Sequence, residues 1–173
     1  SEITIQMIAE QAKMPTATVY HFFPSAEAAL VAQTRVYIQQ FEDLVGSVRP
    51  PAERMSWQTS WRWGAERGRD HYISDVAIMR LLLGADVPQD VQRTDAEFNV
   101  RLGRIIARQF ETDFVMPRIP GFDDVCTNAV QMSDTFWRMS FQRTGTISEA
   151  YFEESLRAIF AYLRCYLPEV LVY

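Results

Sequence analysis

Apolar residues recur every three or four positions along almost the whole chain, and nowhere do they alternate singly with polar ones. That period belongs to helices with one covered face, and its persistence leaves no place for a half-buried strand. Phe98, Leu102, Ile105, Ile106, Phe110 and Phe114 mark it on a segment from about Asp90 to Val115. Breakers are scarce, with 7 Gly and 8 Pro in 173 residues, so few positions interrupt a helical ladder. The chain is therefore expected to be all-α. At 48% apolar and 13% aromatic it carries enough side-chain surface for a substantial core.

The first thirty residues are packed differently from the rest. Apolar positions at Ile5, Ile8, Ala9 and Ala12 predict a short helix with Thr4 as its cap. Lys13-Met14-Pro15 breaks it, and "PTATVY" starts a second short helix that reaches Phe22, with Val19 and Phe22 facing inward. Ile8, Ala9, Met14, Val19 and Phe23 are expected to form a small core. A longer helix begins after the cap Ser25 and runs to about Val45. "GSVRPP" at 46–51 is the clearest boundary, dividing 1–45 from 46–173. Beyond it, "MSWQTSWRWGAERG" and "YISDVAIMRLLLGA" read as helices. So do the segment from Asp90, one from about Asp123 to Arg143, and one from Ser148 to Leu167. Gly145 turns between the last two, with Ser148 as cap.

Two short helices joined by a tight turn form the helix-turn-helix pattern, whose second helix enters the DNA major groove. Taken alone, the pattern also suits a helical hairpin on any globular surface. Thr16, Ala17 and Thr18 are expected at base edges, where small residues permit close approach and Thr can meet a base or a thymine methyl. Tyr20, His21, Lys13 and Thr4 are expected on the backbone, where contacts position without specifying.

This segment resembles the DNA-binding end of the tetracycline-repressor (TetR) family of bacterial regulators. Thr4, Ile8, Ala9, Ala12, Thr18, Tyr20, Phe23, Ser25 and Glu27 match that family's pattern in register and without a gap. Lys13 stands where the family has glycine and Ala26 where it has lysine. The family's first helix should precede Thr4, so residues before Ser1 are expected to supply it. The charge balance sharpens that expectation: residues 1–45 hold Lys13 and Arg35 against Glu2, Glu10, Glu27, Glu42 and Asp43. Phosphate neutralisation supplies most non-specific DNA affinity, and this segment offers little of it. The whole chain, at a net charge of −5, is no indiscriminate polyanion binder.

The larger part carries aromatic and Met residues at helical spacing, which suit either ordinary core or the walls of a small-molecule cavity. Candidate ligand-binding residues are Trp57, Trp61, Arg62, His71, Met79, Phe98, Arg101, Gln109, Phe110, Trp137 and Phe141. The last segment is apolar on two sides, and the one before it similarly so, which suits a helix pair shared with a second copy. Val125, Ala129, Met132, Phe136, Tyr151, Ser155, Ala158 and Tyr162 are the candidate dimer positions; a monomer burying both stripes itself is the alternative. The resemblance implies the same four-helix dimer, and a ligand that changes the spacing of the two DNA-binding heads.

No GxSxG, P-loop, GxGxxG, CxxC or HExxH motif occurs, so neither an enzyme nor a metal or other cofactor is expected. Cys126 and Cys165 are read as reduced, buried thiols. The longest apolar runs are broken by arginine and fall short of a membrane span, and no signal peptide is seen. The expectation is a cytoplasmic, homodimeric repressor that binds a palindromic double-stranded operator and is released by a small, largely apolar effector. The other reading is a helical dimer that binds a small molecule or a protein without touching DNA.

Overall fold

The computed structural model describes residues 3–47 and 55–173, so most of the boundary expected at 46–51 lies outside the described residues. Eight helices occur among the described residues: α1 (Ile5–Ala12), α2 (Thr16–Phe22), α3 (Ala26–Ser47), α4 (Trp57–Ser74), α5 (Val76–Leu83), α6 (Gln89–Asp113), α7 (Phe122–Thr144) and α8 (Glu149–Leu163). One isolated antiparallel pair joins Val115 to Val172, with the Val115 N–H donating to the Val172 carbonyl at 2.7 Å. The fold class is all-α.

Helix starts follow hydroxyl and carboxylate caps, which satisfy amides that have no intrahelical partner. The Thr4 hydroxyl accepts from the Met7 N–H at 3.3 Å, and Ser25 Oγ from the Ala28 N–H at 3.0 Å. Ser56 caps α4 through the Thr59 N–H. Asp75 ends α4 and caps α5, accepting from Ala77 and Ile78 N–H. Because Asp75 makes the break, α4 runs straight through Gly68 rather than ending there. A Cβ on Gly68 would lie 3.3 Å from the Trp137 ring, so that glycine admits the indole.

Two other expectations are corrected. The last helix stops at Leu163, not Leu167. Cys165 and Tyr166 N–H turn back to the carbonyls of Tyr162 and Leu163, and Pro168 disfavours helix in the residue before it. Ser148 does occupy the cap position of α8, but its hydroxyl makes no cap bond. It meets Ser140 Oγ at 3.2 Å, and Ser140 Oγ accepts from the Ser148 N–H.

The small core of the head holds Ile5, Ala9 and Val19, with Ile8 and Phe23 packed against it. Phe22 is 64% exposed and Met14 43% exposed, both against expectation. α2 is seven residues long and can turn only one narrow stripe toward α1, which Val19 takes. The body core is centred on Trp57, Phe152, Leu156, Ile159 and Leu163, all buried. The Trp57 indole N–H donates to the Pro168 carbonyl at 2.9 Å and so ties the C-terminal segment to α4. α3 spans both parts: it follows the head, then packs Tyr37, Ile38 and Phe41 into the body. Its entry is fixed to α6, whose first-turn Asp90 N–H donates to the Glu27 carboxylate at 3.3 Å. Cys126 is buried and Cys165 is exposed beyond the end of α8, and both are free.

Candidate functional site

The turn between α1 and α2 is built on Lys13, which adopts a left-handed conformation (φ 54°, ψ 39°) and closes α1 with its N–H on the Ala9 and Glu10 carbonyls. A side-chain-bearing residue pays about 1 kcal/mol there. The main chain thus keeps the turn that the resemblance implies for glycine, and Lys13 sets an exposed ammonium at it. Thr16, Ala17 and Thr18 form the first turn of α2. Ala17, Tyr20 and His21 are exposed, and Thr16 and Thr18 are half-buried. The His21 ring meets Phe22 edge-on at 5.5 Å between centroids. Thr4 stands exposed at the start of α1, its oxygen already engaged by the Met7 N–H.

A cavity of about 130 Å³ lies in the body between α3, α4, α6 and α7. A space near ~150 Å³ is enough for a benzene-sized ring. Of the residues expected in a ligand site, Trp61, Phe98, Gln109, Phe110 and Trp137 line it. The rest stand elsewhere, each for a visible reason. Trp57 is sealed in the core on its bond to Pro168. Met79 is buried between α5 and its neighbours, and Phe141 packs on the main core. Arg62 forms a two-pronged pair with Glu153. Arg101 donates to Glu42 on the outer surface. His71 stacks on Tyr37 at 4.3 Å, behind the wall rather than in it. Burial lowers its pKa.

The sequence reading missed the α3 side altogether: Tyr37, Phe41, Leu44 and Val45 line the cavity. It also missed Trp63 and Tyr72 on α4. Most consequential is a polar corner. Asp134 and Ser133 of α7 and Asn99 of α6 line the cavity, and Asn99 Nδ2 donates to Asp134 Oδ2 at 2.6 Å. Asn99 and Asp134 also line a second, more polar cavity of about 240 Å³, which adds Asp95, Gln92, Gln131 and Arg138. Burial, and then the neighbouring Asp95, raise Asp134 well above the usual carboxylate range. Burial raises Asp95 likewise, against the pull of Arg138. The signal was present in the spacing. Asp134 falls four residues after Val130 and three before Trp137, on the same helical stripe.

On the outer side of the body, Val125, Ala129 and Ser155 are covered within the protomer, with Ala129 and Ser155 at 0% exposure. Their surface is already covered within the one chain, so they offer none to a partner. Met132, Phe136, Tyr151, Ala158 and Tyr162 are half-exposed, and Met139 and Tyr166 are exposed beside them.

Among the described residues no group of three or more His, Cys, Asp or Glu side chains gathers in a metal-holding arrangement. No helix there is long and apolar enough to cross a membrane. The architecture is that of a small helix-turn-helix head carried on a helical body with an internal cavity. It has the fold seen in the crystal structure of a TetR-family transcriptional regulator from Streptomyces coelicolor. The two share a TM-score of 0.63 and 21% identity, over 95% of this chain and 88% of that one. No protein-family model and no curated protein matches the sequence.

Proposed function

We propose that the chain is a TetR-like transcriptional regulator, a non-enzymatic repressor that a small, largely apolar effector releases from a palindromic operator. The observation that carries the reading is the α1–α2 unit. It is a two-helix head with a left-handed turn, presenting Ala17, Tyr20 and His21 outward from the second helix. Thr16, Ala17 and Thr18 read bases, while Thr4, Lys13, Tyr20 and His21 hold phosphates. Two copies pair through the half-exposed faces of α7 and α8, bringing two recognition helices to one two-fold site.

The cavity gives the regulator an input. α3 forms one of its walls through Tyr37, Phe41, Leu44 and Val45, and its other end follows the recognition helix. From Phe41 back to Ala26 the helix runs about 22 Å, so a tilt of about ten degrees at the cavity displaces that end by about 4 Å. That is enough to take a paired head out of register with its groove.

One observation favours the DNA-free dimer instead: Lys13 and Arg35 face five carboxylates within residues 1–45. A gel-shift titration separates the two. Full-length protein is titrated on DNA from upstream of its own gene, with random competitor, at two salt concentrations. A competitor-resistant, salt-sensitive shift supports the regulator. No specific shift there, followed by an empty genome-wide selection, leaves the ligand- or protein-binding dimer.

A further inference from the structure

The cavity is aromatic along its walls and acidic at one corner, and its two charged side chains form no ion pair with each other. Eight aromatic side chains line it, together with two formally charged ones, Arg67 and Asp134. Arg67 is exposed and lies over the Trp63 ring, 4.5 Å from its centroid. Asp134 lies on the partition shared with the second cavity. Among the described residues no cation lies within ion-pair distance of it. Arg138, the nearest positive influence, donates to the Leu82 carbonyl instead. Among the described residues the one side-chain hydrogen bond to Asp134 comes from Asn99.

A second observation points to an occupant. Tyr37 and Trp137 line the same cavity and are each more than nine-tenths buried, yet among the described residues the Tyr37 hydroxyl and the Trp137 indole N–H have no hydrogen-bond partner. Tyr37 and Asp134 line the same cavity, and Asp95 and Asp134 both act on the Tyr37 hydroxyl. A buried polar group left without a partner costs on the order of 1–3 kcal/mol, which a bound polar atom removes. Aromatic faces around a carboxyl that no protein cation pairs favour a cation, through the ring quadrupole and, once the ammonium displaces to solvent the proton that burial holds on Asp134, through the charge as well.

We infer that the cavity receives a small aromatic amine, its ammonium group held by Asp134 and the Tyr37 hydroxyl and its ring among the aromatic walls. This rests on reading the cavity as a ligand site. The Trp137 N–H provides a donor for a hydroxyl on the same ligand. A single ring takes up most of the 130 Å³, so the amine-bearing arm is short. An anionic ligand would meet Arg67 only at an exposed position and would bring its charge toward Asp134.

The test uses the full-length protein and three matched probes: 2-phenylethylamine, 2-phenylethanol and 3-phenylpropanoate. Tryptophan fluorescence reports entry, since Trp61, Trp63 and Trp137 all line the cavity, and calorimetry gives the constants. The amine is expected to bind at least about tenfold more tightly than the alcohol, with the carboxylate weakest. Asp134→Asn is expected to cost the amine at least about tenfold and leave the alcohol within about twofold, the alcohol serving as the check that the cavity is intact. Tyr37→Phe is expected to cost the amine a few-fold and provides a second variant should Asp134→Asn fold poorly. Alcohol or carboxylate binding as tightly as the amine overturns the assignment and leaves the ligand cavity standing. So does an amine indifferent to both variants. No binding of any probe overturns both.

Discussion

Gly103 fixes how closely α6 and α7 approach, and replacing it should open the body at a defined point. A Cβ on Gly103 would lie 2.2 Å from Thr127 Oγ1, 2.7 Å from its nitrogen and 2.8 Å from its Cα. The hydroxyl can rotate away, but the main chain of α7 cannot. The nearer backbone contacts fall about 0.6 Å inside an ordinary van der Waals separation near 3.4 Å, so the helices must part by about that much. Overpacking of this kind costs about 1–3 kcal/mol, and a half-ångström gap along the seam forfeits further dispersion contacts. Alanine's helix propensity returns about 1 kcal/mol. The net for Gly103→Ala is a loss of about 1–2 kcal/mol, which for a chain of this length lowers Tm by about 2–8 °C. The same substitution at Gly64 of α4, where nothing lies within 4 Å, should raise Tm by about 1–4 °C. Circular-dichroism melts of both variants provide the assay. Adding Thr127→Ala to Gly103→Ala should recover less than half the loss, because the Thr127 nitrogen and Cα remain. A Gly103→Ala protein that melts at or above the parent temperature would refute this account of the seam.

Three further predictions concern the head and the acidic corner. Lys13→Gly should stabilise the protein by about 0.5–1 kcal/mol in urea, by relieving the left-handed turn, yet weaken DNA binding and reduce its salt slope by about one. Tyr20→Ala should weaken binding to all DNA sequences alike. Thr18→Ala should change preference at one or two base pairs in a binding selection, and equal loss on specific and random DNA would contradict its role. Asp134 has a raised pKa when folded, so the folded chain holds its proton more tightly than the unfolded one. Stability is therefore lost as pH rises from the ordinary carboxylate range through that raised value. Asp134→Asn removes the loss, and its stability relative to the parent in urea melts should be greater at pH 8 than at pH 5 by at least about 1 kcal/mol. A difference independent of pH would show that the carboxyl is not held protonated.

The helical class, the head and most helix boundaries were legible because they follow from local rules. Thr4, Ser25 and Asp75 are caps whose bonds close within three residues. The covered stripe of α6 is visible in its period alone. The cavity was only half legible, since periodicity tells that a side chain is covered but not by what. Trp57 and Trp61 sit four residues apart on one helix. The first is sealed by the C-terminal segment at Pro168, more than a hundred residues away, and the second faces the cavity. Tyr37 and Phe41 were passed over because a boundary at 46–51 assigns α3 to the head, whereas its second half packs along α6. Asp134 was hidden by its type. A carboxylate is ordinarily a solvent-facing residue, and only the meeting of α6 and α7 brings Asn99 and Asp95 to it.

Lys13 is the single lysine among 173 residues, all other cationic side chains besides histidine being arginine. Within these 173 residues the turn of the head therefore carries the one side-chain amine that an acylating reagent can find. Mild succinimidyl labelling would place a fluorophore or a mass tag at that turn without mutagenesis, leaving the walls of the cavity untouched. Shielding of that amine in the presence of DNA, followed by mass spectrometry, would report on the head's engagement one residue from where the chain reverses direction.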